Sequence, residues 1–306
     1  MICKTVRSLS EYHQEMENLD QDGLWIFRGQ TETSWGLIPS IFRGIDKLVP
    51  PYDEGDAEWI TRIERDIYRE FEKHAIRYGA AAETKWQNLA LAQHYGTPTR
   101  LLDWTRSATI AAYFAIATYK PAAAAVWCLN LKNYPFPEFL GRITKTYAHR
   151  VAVVNTIVSK VRPPFFQVVS QPISHNTGSS ASGSSSTPDI NDPILDRDKG
   201  FMLVLDPPQS EERLRAQEGL FTVYYSYDDY DLVWDLSSHL QELEVETGKN
   251  ILYKLEIPED KRETLRSELE RHDNMHWHRL FPDLIGLGHW LAKNRDTEFA
   301  ATAAYR

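Results

Sequence analysis

The chain has little of what marks several protein classes. Its two cysteines, Cys3 and Cys128, lie far apart and outside any Cys-x-x-Cys pair. That excludes a disulfide framework and suits a reducing compartment. Basic residues are in the minority, 34 against 43 acidic ones for a net charge of -9. Broad electrostatic binding of DNA or RNA is therefore not expected, although a local basic groove remains compatible with this balance. No run approaches the roughly 18 apolar residues of a membrane helix. The opening MICKTVRSLSEYHQEMENL also lacks the apolar core of a signal peptide, so the expected location is the cytoplasm, with no membrane partner. Neither a Walker motif nor a glycine-rich dinucleotide motif occurs.

What remains is an ordinary globular composition with one excess. Apolar residues make up 42% and charged residues 25% of 306 positions, enough for one large domain or two ordinary ones. Aromatic residues reach 12%, with 9 Trp, 15 Tyr and 12 Phe. Rings in that number can serve a core, a base-stacking cleft or a partner surface.

Hydrophobic spacing organises the chain. Ile60, Ile63, Ile67, Phe71 and Ala75 recur at helical intervals in 56–78, with Gly79 as a stop. A second helix is expected from Thr84, with Gln87 in a capping box, to just before Gly96. Ser107 reads as the N-cap of a third, 108–119, whose alanines allow close packing. Strands are expected at Trp25–Thr31, Ala124–Leu131, Phe201–Leu205, Leu220–Tyr225 and Ile251–Ile257. Pro258 opens a helix through His272, and a short terminal helix covers 281–293. The serine-rich stretch 174–189 cannot offset its ordering entropy by burial and reads as a flexible loop. The pattern predicts an α+β fold with a helix-rich N-terminal half and a mixed or antiparallel sheet, in which strands from both sides of the serine loop join.

Two blocks carry chemistry. In Trp25-Ile-Phe-Arg-Gly-Gln-Thr31, an arginine at a strand end can grip a phosphate or carboxylate with two parallel hydrogen bonds, and Gly29 lets a ligand near the backbone. The alternative is a structural ion pair and a turn. In QHYGTPTRLLDWT, 93–105, the groups His94, Tyr95, Thr99, Arg100, Asp103, Trp104 and Thr105 crowd a helix end and loop. Here the alternative is internal pairing of Arg100 with Asp103, with Trp104 in the core and Thr105 assisting a cap.

Phe27-Arg-Gly29, QHYGTPTRLLDWT, AAYFA at 111–115, RLRAQEGLFTV at 213–223 and LFPDLIGL at 280–287 resemble the FRG-domain family, named for its Phe/Tyr-Arg-Gly signature. The blocks run from about 25 to 290. The resemblance thus implies one domain over 1–306, with 174–196 a Ser/Gly-rich insertion inside it.

The order of motifs is also similar to that of ADP-ribosyltransferases with an Arg, Ser-Thr-Ser, Glu signature. That similarity implies NAD as substrate and no metal. Arg28 would hold the diphosphate, with Gly29, Gln30, His94, Tyr95, Asp103, Trp104 and Thr105 around the dinucleotide. Trp104 or Tyr95 would stack on nicotinamide, and Glu218 or Gln217 would act at the ribose, where bond breaking develops oxocarbenium character. Two departures stand out: Asp-Trp-Thr replaces Ser-Thr-Ser, and Gln217 and Glu218 are adjacent, so on a strand they would face opposite ways.

The activity implied is NAD-dependent modification of a macromolecule, RNA or protein, as in a bacterial toxin or antiphage effector that a neutralising antitoxin could bind. The rivals are an NAD glycohydrolase and a non-catalytic nucleotide- or carbohydrate-binding module. His272 and His276, four apart, lack the glutamate of a metalloprotease motif and read as a surface cluster. Acidic-aromatic 224–234 reads as a strand and exposed turn, or as a surface for a protein partner.

Overall fold

The computed structural model describes residues 1–21, 23–44, 56–78, 85–135, 201–206, 212–225 and 234–294. The stretch 174–196 expected to be an insertion, Gly79, Thr84 and residues 226–233 of the acidic-aromatic stretch lie outside them.

Seven strands form one mixed sheet: β1 (Ile2–Thr5), β2 (Trp25–Gln30), β3 (Leu102–Thr105), β4 (Ala124–Asn130), β5 (Phe201–Leu205), β6 (Gly219–Tyr225) and β7 (Leu252–Ile257). Their spatial order is β1-β7-β4-β2-β3-β6-β5. Among the described strands only β1 and β7 run parallel; the remaining pairs are antiparallel. The sheet joins both halves of the chain, since β4 pairs with β7 and β3 with β6. The described helices are α1 (Leu9–Glu17), α2 (Asp56–Ala75), α3 (Lys85–His94), α4 (Ala108–Ile116), α5 (Glu212–Ala216), α6 (Leu236–Thr247), α7 (Arg262–His272), α8 (Trp277–Leu280) and α9 (Leu284–Asn294). None of the described helices is long and apolar enough to cross a membrane.

Helices and strands therefore interleave along the chain, and helical residues outnumber strand residues among the described residues of the first half, as expected. β1, α1 and α6 carry too little apolar sequence to stand out. Ile2-Cys-Lys-Thr becomes a strand only because β7 offers it a parallel edge.

The core has two layers because successive strand side chains point to opposite faces. On one face Phe27, Val126, Cys128, Leu255 and Ile257 pack against α4, α1 and α7. On the other, Ile26, Trp104, Trp127, Leu129, Leu220 and Leu252 pack with Leu236 and Leu240 of α6. β4, buried at every position, has helices over both faces, which is why its sequence shows no polar alternation.

Helix α4 begins as its sequence implies: Ser107 Oγ accepts a hydrogen bond from the Ile110 amide. It stops at Ile116, short of 119. Its close seat on the sheet explains Gly29. A Cβ there would overlap the Ala111 carbonyl and stand 2.6 Å from the Ala115 nitrogen. Gly29 thus admits a helix backbone, a tighter demand than the ligand approach expected of it.

Arg262 of α7 fastens the same region. It donates to the carbonyls of Thr31, Ala115, Thr118 and Ala122 from a nearly fully buried position. Glu64 of α2, also buried, pairs with Arg100 at 2.6 Å and accepts from the Arg100 amide. Arg100 therefore anchors α2 to the segment before β3; it does not pair with Asp103 as the sequence alternative had it.

Candidate functional site

The cleft opens where two neighbouring strands part. β2 pairs with β4 over six residues but touches β3 in register only at Phe27 and Thr105. Beyond that contact Arg28 and Gly29 diverge from Asp103 and Trp104. All six of these residues line a cleft of about 380 Å³. Gln93, His94 and Gly96 at the end of α3 form one further wall, and Phe114, Arg213, Gln217 and Phe281 complete the described lining.

The end of α3 is shaped by a glycine. Gly96 has φ of 83°, and the amides of Gly96 and Thr97 close back on the carbonyls of Gln93 and Ala92 at 3.0 and 2.9 Å. This is the helix stop that favours glycine, and it leaves Gln93 and His94 on the last turn beside the cleft. Gln93 then braces the opposite strand. Its Nε2 donates to Asp103 Oδ2 at 2.9 Å while its Oε1 accepts from Thr99 Oγ1 at 2.6 Å.

Arg28 bridges the gap between the strands. Its Nη1 donates to the Asp103 carbonyl at 2.7 Å and lies 3.5 Å from Asp103 Oδ2. Its Nε is buried without a hydrogen-bond partner. Burial lowers the Arg28 pKa, and Asp103 opposes that shift. An arginine keeps its charge in this setting, so the cleft holds a largely desolvated cation.

Of the remaining expected residues, several meet here and some do not. Thr105 faces the cleft, though its Oγ1 also accepts from the Ser107 amide at 3.1 Å. Trp104 lines the wall, but its indole belongs to the core and donates to Thr222 Oγ1 at 2.8 Å. That leaves it little freedom to stack on a ligand ring. Tyr95 is exposed, edge-on to His94, and does not line the cleft. Gln30, two residues beyond Arg28 on β2, is buried and does not line the cleft; it accepts from Trp127 Nε1 and donates to the Gly36 carbonyl. Both ends of its amide are used, so it is not available to a ligand in the cleft.

Gln217 and Glu218 lie in the turn between α5 and β6, not on a strand, so alternation does not separate them. The turn does. Glu218 has φ of 47°, is exposed, and presents its carbonyl to the Arg106 amide. Gln217 lines the cleft and donates to the Leu280 carbonyl at 3.0 Å. Among the described lining residues the only carboxylate is that of Asp103.

Sequence reasoning missed Gln93, Arg213 and Phe281 as lining groups. Arg213 stands over the Phe281 ring, 4.3 Å from its centre, and Phe281 meets Phe114 edge to face at 6.0 Å. The conspicuous blocks at 213–223 and 280–287 were the available signal.

No group of three or more His, Cys, Asp or Glu able to hold a metal occurs among the described residues. His272 ends α7 and His276 caps α8, with Asn274 at positive φ between them, so their spacing is not helical.

Comparison with curated proteins and with solved structures finds no match. A family model does match, over residues 23–124. That span runs from just before β2 to the first residue of β4 and includes Arg28, the end of α3 and the whole of β3. The match covers less than half of the chain and ends before Arg213, Gln217 and Phe281. Over residues 23–124 the chain matches the model of the FRG domain.

Proposed function

We propose that the cleft binds NAD and that the protein is an ADP-ribosyltransferase-like enzyme acting on a macromolecule, RNA or protein. The observation that carries this reading is convergence. Arg28, Thr105 and Gln217, far apart in sequence, line one cleft together with Phe27, Phe114 and Phe281. A cleft with aromatic walls and two arginines suits a ligand that joins flat rings to phosphate.

In this reading the Arg28 guanidinium holds a phosphate, and Gln217 meets a ribose hydroxyl through its amide. The rings of Phe27, Phe114 and Phe281 keep water from the ribose cation. Asp103, held by Arg28 and Gln93, supplies the negative charge beside it. Glu218 takes no part.

Incubating the purified protein with NAD and cellular RNA or protein, then searching for ADP-ribose by mass spectrometry, tests the proposal. We expect nicotinamide release and an adduct, both lost in Arg28→Ala. Intact NAD after long incubation would remove the enzymatic reading.

One observation favours a second reading. The single carboxylate among the described lining residues is already engaged, so a non-catalytic nucleotide-binding module is the alternative. Calorimetry showing NAD bound but uncleaved would select it. Free ADP-ribose without any acceptor would select a glycohydrolase instead.

A further inference from the structure

Arg213 enters the cleft from α5, outside the FRG-domain match. Its guanidinium carbon stands 4.3 Å from the centre of the Phe281 ring, and its Nε is buried without a hydrogen-bond partner. Among the described residues the guanidinium makes no hydrogen bond or ion pair. Asp283, Asp103 and Tyr95 only offset, through space, the lowering of its pKa by burial.

Arg28 differs. Its Nη1 is committed to the carbonyl and carboxylate of Asp103. The two cations therefore have unequal freedom, one spanning the gap between β2 and β3 and one resting on an aromatic face.

A half-buried arginine without an acceptor bears a desolvation cost that a phosphate relieves with two parallel hydrogen bonds. The ring beneath it limits the orientations open to the guanidinium, which lowers the entropy lost when an anion arrives. With Arg28 on β2 and Arg213 on α5 in one cleft, a monophosphate has one group for two arginines. A diphosphate offers a phosphate to each.

We infer that Arg213, seated on Phe281, is a specificity-determining residue that takes one phosphate of a diphosphate while Arg28 takes the other. This inference rests on the NAD reading for the identity of the ligand, but not for the chemistry of the grip.

Calorimetric titration of the full chain at low salt with inorganic pyrophosphate, inorganic phosphate, NAD and nicotinamide mononucleotide tests it. Wild type should bind pyrophosphate about tenfold or more tighter than phosphate, and NAD tighter than the mononucleotide by a similar factor. Arg213→Ala should erase both preferences, and Arg213→Lys should restore part of them.

Wild-type affinity of Arg213→Ala for pyrophosphate and NAD would overturn the inference and leave the NAD reading standing. Pyrophosphate binding that depends on Arg213, with NAD unbound, would support the inference and remove the NAD reading. Binding of neither by wild type would remove both. If Arg213→Ala melts at a lower temperature than wild type, Arg213→Gln, which keeps the stem over Phe281, carries the same comparison.

Discussion

Adjacent residues part company in this protein. Gln217 and Glu218 share one turn, yet the positive φ of Glu218 sends its side chain to solvent while Gln217 lines the cleft. The sequence offered both and could not choose, because strand alternation was the wrong rule for a turn. A difference in activity should follow. Gln217→Ala is expected to lower kcat/KM for NAD by about tenfold or more, the scale of one hydrogen bond to a bound group. Glu218→Ala should cost less than about threefold. Equal losses in the two variants, measured as nicotinamide release, would refute the assignment of Gln217 to the cleft.

Glycine at position 29 operates at the scale of elements. The Phe-Arg-Gly signature suggests a ligand-binding strand end, and Arg28 and Gly29 both line the cleft. Gly29 meets a packing demand as well, because α4 presses its backbone onto β2 where a side chain would stand. We expect Gly29→Ala to destabilise the fold by about 1–3 kcal/mol through overpacking. It should also push α4 outward, carrying Phe114 away from the cleft and weakening ligand binding. A denaturant midpoint equal to wild type would show that α4 does not sit this close.

The α4 helix was itself legible from Ser107 and the alanine spacing, and so was the stop of α3 at Gly96. The strand at 102–105 was not directly legible. Four residues carrying Asp103 and Thr105 have no hydrophobic run, and they become a strand by pairing with β6.

For the whole molecule, burial governs stability at high pH. Burial pushes the Tyr113 phenol up to about 12, and Glu270 adds to the shift. Desolvation likewise raises the phenols of Tyr12, Tyr68 and Tyr134 and the Cys128 thiol. Each group holds its proton more tightly when folded than when unfolded. Its stabilising effect is therefore complete below the unfolded pKa, roughly 8.5 for the thiol and 10 for the phenols, and is lost as pH rises through the folded value. Urea midpoints should fall between pH 9 and pH 12, and Tyr113→Phe should fall less steeply. A midpoint unchanged from pH 8 to pH 11 would contradict this.

By itself, the sequence determined the local parts: the Ser107 cap, the Gly96 stop, the apolar strands β2, β4, β5, β6 and β7, and the blocks that match the FRG-domain model at 23–124. These follow from spacing, capping and turn chemistry, which act over a few residues. Tertiary structure decided which polar groups were left for a ligand. Arg100 went to Glu64, Gln30 to Trp127 and Trp104 to Thr222, each satisfying a buried partner contributed by another part of the chain. It also brought Arg213 and Phe281 to Arg28 across the parting of β2 and β3. Burial and hydrogen-bond satisfaction are properties of the assembled sheet, so no local pattern could announce them.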